Sequence, residues 1–164
     1  MESLHLPRFK RATSVPRLEI THRDRQIIRQ VHRHRFIRSW QIIVLVGGSP
    51  QQISRRLKLL FHHGYLGRPR SQIDYFHKGG SHHMVYGLGK RAAKVLSQYG
   101  VASSAARCDL KSGAVGRIFL DHALLVTDIM VAIELACRKN GVRLFYGEDL
   151  PLPKGIQTKA QPFR

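Results

Sequence analysis

The chain has 164 residues, enough for one ordinary domain or for a small domain with an extension. Its hydrophobic content of 43% supports a packed core and argues against wholesale disorder. A formal net charge of +18 calls for an anionic partner, nucleic acid before membrane.

The charge is unevenly spread. Residues 1–100 hold 19 Lys and Arg against 4 Asp and Glu, a net of +15, whereas residues 101–164 hold 9 against 6, a net of +3. The anion-binding surface is therefore expected in the first hundred residues. Cys108 and Cys137 form neither a disulfide framework nor a zinc-finger spacing, which fits a reducing, cytoplasmic compartment. The N-terminal stretch lacks the continuous apolar run of an export signal. The most apolar run, 118–136, carries Asp121, His122, Asp128 and Glu134, each costly in a bilayer, so no membrane partner is expected.

Residues 1–20 read as a basic arm, with Arg8, Lys10, Arg11 and Arg17 set around Pro7 and Pro16 and no periodicity. Such a segment either frays when free or orders along phosphates on binding. "THRD" then starts a helix. Thr21 is the N-cap and Asp24, three residues on, gives a capping-box-like signal that also suits the helix dipole. Ile27, Ile28 and Val31 mark its buried face. A short second helix is expected over 39–46, capped by Ser39 and ended by Gly47 and Gly48.

The third helix is the most informative. "SPQQISRRLKLLFHHGYL" places Ser49 at the N-cap, Pro50 at the first helical position and Gln52 completing the cap, with Gly64 just past the end. At 100° per residue Ile53, Leu57, Leu60 and Phe61 fall on one face. Gln51, Arg55, Lys58 and His62 fall opposite, with Ser54 at the margin and Arg56 nearer the core boundary. Two extended runs follow, "YLGRP" and "MVYGL", with Gly79 and Gly80 at the tip of the polar stretch between them. They read as a two-stranded hairpin with a long basic loop. "GKRAAKVLSQYG" is a helix that Gly100 terminates.

Three short helices followed by a hairpin are the order of a winged helix–turn–helix, and 21–100 is expected to be that domain. In that architecture the third helix buries one face and lays the other in a DNA major groove. Residues 101–116 read as a linker. Residues 117–140 form a long helix, apolar nearly all round, which wants burial on more than one side. A strand in "VRLFYGEDLPLP", running into a Pro-broken tail, closes the 117–164 segment. The fold class expected is thus mainly α with a small β-hairpin, a long C-terminal helix and a terminal strand.

Taken together, "RDRQIIRQVHRHRFI", "RRLKLLFHHGYLGRP", "VYGLGKRAAKVL" and "FLDHALLVTDIMVAIELACR" resemble the replication-relaxation family. The resemblance spans about 21–150. Each piece alone is unspecific, but their joint order is distinctive. It implies a winged helix that binds DNA in plasmid or mobile-element replication, relaxation or conjugative transfer, and further α/β structure in longer members.

Other chemistry weighs less. Ten histidines invite a metal, but the pairs His62–His63 and His82–His83 are adjacent, and His32 and His34 are two apart. Such side chains do not converge on one ion. "GLGKRA" lacks the four residues between glycines and the Ser or Thr that a phosphate loop needs. Asp121 and Asp128 lie seven apart on one helix, roughly 10 Å along its axis, too far to share a metal for phosphodiester cleavage. His122 and Asp128 are expected to pair across a helix interface instead. No enzyme activity, cofactor or metal is expected.

The expected interface follows. Gln51, Gln52, Ser54, Arg55, Lys58 and His62 face the major groove, where Arg suits guanine and Gln suits adenine. Arg68, Arg70, Lys78, His82 and His83 serve the wing, and Arg23, Arg25, Lys90 and Arg91 hold phosphates. Leu124, Leu125, Ile129, Val131, Ala132 and Ile133 are expected to form a two-fold dimer interface on double-stranded DNA. The alternatives are an RNA-binding module, or an adaptor for a relaxase or replication initiator, with an enzyme fragment behind both.

Overall fold

The computed structural model describes residues 7–73, 83–98 and 115–146. Helix α1, His22–His34, starts on the expected capping box: Thr21 Oγ1 accepts from the Asp24 N–H, and Asp24 accepts from the Thr21 N–H at 2.8 Å. Ile27, Ile28 and Val31 are completely buried. A two-residue strand, β1 (Ile37–Arg38), follows, and then α2, Ser39–Val46. Ser39 is the first helical residue of α2 and not its cap. Arg38 holds that place, and its N–H donates to Gln41 Oε1 at 2.9 Å.

Helix α3, Pro50–His62, has Ser49 as N-cap, with its hydroxyl accepting from the Gln52 N–H. The Gln52 side chain does not complete the cap. It accepts from Arg23 at 3.3 Å, tying the start of α3 to α1. At the other end Gly64 takes φ 81°, the Gly64 N–H donates to Phe61 O at 3.0 Å and the Tyr65 N–H to Leu60 O at 2.9 Å. That paired closure is the Schellman motif, and a left-handed residue there favours glycine.

β2 (Leu66–Gly67) and β3 (Val85–Leu88) pair antiparallel, with Leu66 opposite Leu88. β1 pairs with the other edge of β3, Ile37 opposite Tyr86, so the sheet order is β1-β3-β2. The two-stranded hairpin expected from the sequence is therefore a three-stranded sheet with β3 in the middle, and all four β3 residues are buried. The loop tip at Gly79 and Gly80, with Lys78 and His82, lies outside the described residues. After β3 the chain passes so close to α3's end that a Cβ on Gly89 would sit 2.3 Å from Gly64 O. No side chain fits there. The Gly89 N–H donates to Tyr65 O at 2.8 Å, and helix α4 (Ala92–Ser97) begins soon after. The expected stop of that helix at Gly100, and positions 101–114 of the expected linker, fall outside the described residues.

Helix α5, Arg117–Lys139, matches the expected span. One of its faces is buried on the chain's own body. Leu120 and Leu124 pack with Phe36 and Val85, and Val131 joins the main core of α1, α2, α3 and the sheet. The Thr127 hydroxyl donates to Phe36 O at 2.8 Å, and Arg138 to Leu45 O at 2.7 Å. Asp128 pairs with Arg38 and accepts from Gln41 at 2.8 Å, while His122 is exposed, so within the chain the expected His122–Asp128 pair does not form. Leu124 and Val131, expected at a dimer interface, are likewise internal.

Over residues 142–146 the expected terminal strand forms no ladder, and the rest of that stretch lies outside the described residues. Gly141 at φ 67° closes α5 with a second Schellman pair, the Val142 N–H donating to Cys137 O at 2.8 Å. The chain then folds back so that the Tyr146 hydroxyl donates to Glu134. Burial pushes the Glu134 carboxyl up, but hydrogen bonds from His34, Tyr146 and Arg138 outweigh it and bring its pKa down to about 2. The protein is mainly helical, with a small antiparallel sheet and a long helix near its C-terminal end. No described helix is long and apolar enough to cross a membrane.

Candidate nucleic-acid interface

The two faces of α3 separate as its periodicity demands. Ile53, Leu57, Leu60 and Phe61 are buried, whereas Gln51, Gln52, Ser54 and Arg55 are exposed and Lys58 is half-buried. What fixes the helix in place is Arg56, the residue at the boundary. It forms a forked pair with the fully buried Asp24 of α1, Nε to Oδ1 at 2.8 Å, and also donates to Glu19 O at 2.9 Å. Burial pushes the Asp24 carboxyl up, but hydrogen bonds from Arg56 and Thr21 hold it below its ordinary range. The same carboxylate pushes the Arg56 guanidinium up. Arg56 thus orients the neighbouring Arg55 outward without reaching solvent fully itself.

Arg55 opens onto a groove of 720 Å³ that it shares with Arg17, Arg23, Gln26 and Gln52. The structure therefore brings Arg23, an expected phosphate contact, to the same groove as the α3 face. Arg25, Lys90 and Arg91 come together elsewhere, around a 330 Å³ cavity with Tyr65 and Lys94. Arg91 lies over the Tyr65 ring at 5.0 Å and donates to His63 O at 3.2 Å. Arg25 Nε is buried without a hydrogen-bond partner among the described residues.

Two expected contacts are placed differently. His62 sits on the outward side of α3 by angle, yet it is 5% exposed, because the arm crosses over it and the Ala12 N–H donates to its Nδ1 at 3.1 Å. Burial and the nearby Arg68, Lys58, Arg11 and His63 push its pKa down, so it stays a neutral acceptor and does not charge toward a phosphate. Arg68 is 9% exposed and points inward. Its guanidinium lies over the Phe61 ring at 4.1 Å and donates to Tyr86 Oη at 3.0 Å and to Arg8 O. Of the remaining wing residues Arg70 and His83 are exposed, with His83 6.4 Å from the Trp40 ring, and Lys78 and His82 lie outside the described residues.

Sequence reasoning missed the docking of the arm. Residues 7–20 run along the C-terminal end of α3: Arg11 donates to Phe61 O at 3.1 Å and Leu66 O at 3.3 Å, and the His63 ring meets Pro16 O at 2.8 Å. Leu18 and Ile20 pack against the core. These two apolar residues were the available signal. The other contacts run to backbone carbonyls some fifty positions away, which no local pattern announces.

The arrangement offers guanidinium and amide donors on one helix face, with further cations beside it. Such groups can hydrogen-bond base edges and phosphates. A family model described as replication-relaxation matches residues 28–149. No curated protein and no solved structure matches the chain.

Proposed function

The chain belongs to the replication-relaxation family, a membership that points to replication or relaxation of mobile elements, and from it we propose that the protein binds duplex DNA. In this reading the body is a winged helix–turn–helix. α3 enters the major groove, and the β2–β3 loop is the wing that reaches an adjacent groove or phosphates. The observation that carries the reading is the exposed α3 face of Gln51, Gln52, Ser54 and Arg55, backed by a buried face that anchors it. The net charge of +18 supports the same partner. Arg23 beside Arg55, and Arg25, Lys90 and Arg91 further round, hold phosphates and fix register.

Arg55→Ala tests the reading role. Arg55 is exposed, so folding is unaffected, while DNA affinity falls by about 1–3 kcal/mol and the preferred sequence relaxes at the contacted base pair. Binding selection from a random duplex library compares the two proteins. An unchanged preferred site removes α3 from the reading role.

The outer face of α5 favours a homodimer. Ile118, Leu125, Val126, Ile129 and Ile133 are exposed large apolar side chains, and they fall on the side of the helix opposite its buried residues. Leu125, Ile129, Ala132 and Ile133 remain from the expected interface, and pairing this stripe with its copy would present two α3 helices to two half-sites. Sedimentation checks this: a dimer at roughly tens of micromolar protein agrees, and a monomer there contradicts it. A monomer would leave the stripe to a relaxase or replication initiator.

A further inference from the structure

A second basic cavity lies away from the face of α3 that reads DNA. It has a volume of 530 Å³ and is bounded by the arm, by β2 with the turn after it, and by the turn from β3 into α4. The exposed α3 residues cluster toward that helix's first half, whereas this cavity borders Phe61, in its last turn. Likewise it borders Gly67 and Leu88, in the paired strands β2 and β3. Its ligand is thus not automatically the DNA that α3 holds.

The lining carries Lys10, Arg11, Arg68, Arg70 and Lys90 and, among the described residues, no carboxylate. Two of these cations are held in position. Arg11 is fixed by the carbonyls of Phe61 and Leu66. Arg68 is clamped between the rings of Phe61 and Tyr86, at 4.1 and 5.1 Å. Arg68 is nine-tenths buried, its acceptors are a neutral carbonyl and a neutral phenol, and its Nε has no hydrogen-bond partner among the described residues. A buried guanidinium without a carboxylate is costly, and four more cations around the same space add repulsion. An anion in the cavity would offset both. The volume lies in the range of ligand sites, about 300–1,000 Å³, and exceeds what a bare ion needs.

We propose that this arm-roofed cavity is a second anion site that takes a phosphate ester on a nucleoside, from a free nucleotide or from a nucleic-acid strand. The arm then has a role beyond adding charge. Phe9, Lys10 and Arg11 form the cavity's roof, and the Ala12 N–H bond to neutral His62 pins that roof to α3.

The test is calorimetric titration of the full chain with deoxyadenosine monophosphate, at fixed low ionic strength, with inorganic phosphate alongside. Saturable binding at one site is expected, tighter for the nucleotide than for phosphate. Lys10→Gln weakens it about tenfold, since one charge-assisted contact goes. Its side chain is exposed, so the melting temperature should hold and a folding defect is excluded as the cause. Arg55→Ala binds the nucleotide as the wild type does while losing duplex affinity, which separates this site from the DNA-reading face. If duplex DNA displaces the nucleotide, the natural phosphate comes from a strand; if the two bind together, it comes from a free nucleotide. Absence of saturable nucleotide binding, or equal weakening by Arg55→Ala, overturns the proposal.

Discussion

Arg56→Ala should destabilise the fold by about 3–5 kcal/mol, because it strips the partner from a buried carboxylate. Asp24 is 0% exposed and has Arg56 as its cationic partner, with Thr21 as a second, neutral donor. Asp24 cannot turn to solvent without breaking the capping box that begins α1, so loss of the guanidinium leaves charge in the interior or forces a proton onto it. The melting temperature should drop by about 10 °C for a chain of this size. The pH dependence carries the sign. The folded Asp24 pKa lies below its unfolded value, so its contribution is fully present above about pH 4 and is lost as pH falls through the folded pKa. In Arg56→Ala burial dominates, the folded pKa rises above the unfolded one, and that limb of the stability curve reverses. Urea unfolding from pH 3 to 7 reads both effects. A loss below about 1 kcal/mol would place this pair among ordinary surface ion pairs. The contrast with Arg55→Ala is instructive: adjacent arginines, one expected to fail in folding and the other in binding.

What could be read from the sequence was local. Thr21 with Asp24, Ser49 with Pro50, and Gly64 each announce a helix end through bonds reaching a few residues, and each stands where expected. The position of Arg56 at the boundary of the α3 face also followed from angle alone. What escaped was non-local. β1 is two residues long and exists because β3, nearly fifty positions on, offers it an edge. The apolar run at 142–146 reads as a strand, but the chain turns back to Glu134 and these residues pair with no edge. For His62 the helical angle was right and the burial wrong, since the covering arm comes from the far N-terminal side. Arg68 reads as one more wing cation until the rings of Phe61 and Tyr86 close on it. Leu124 and Val131 read as an external seam in sequence, because a helix apolar nearly all round does not say which side meets its own domain.

The central claim is that cations projecting from the anchored α3 face and its surroundings meet a polyanion as one patch. Binding of labelled duplex DNA as a function of salt measures that patch. Each neutralised phosphate releases condensed counterions, so log affinity should fall linearly with log salt, by about 0.9 per contact. With roughly six to ten contacts the affinity drops about 10³–10⁵-fold between 50 and 200 mM. Arg23→Ala and Lys90→Ala should each lower the slope by about 1 while leaving the preferred sequence intact, as phosphate contacts do. A steep slope that these variants reduce is the predicted result. A flat slope, or no duplex binding even at the lowest salt, would contradict it.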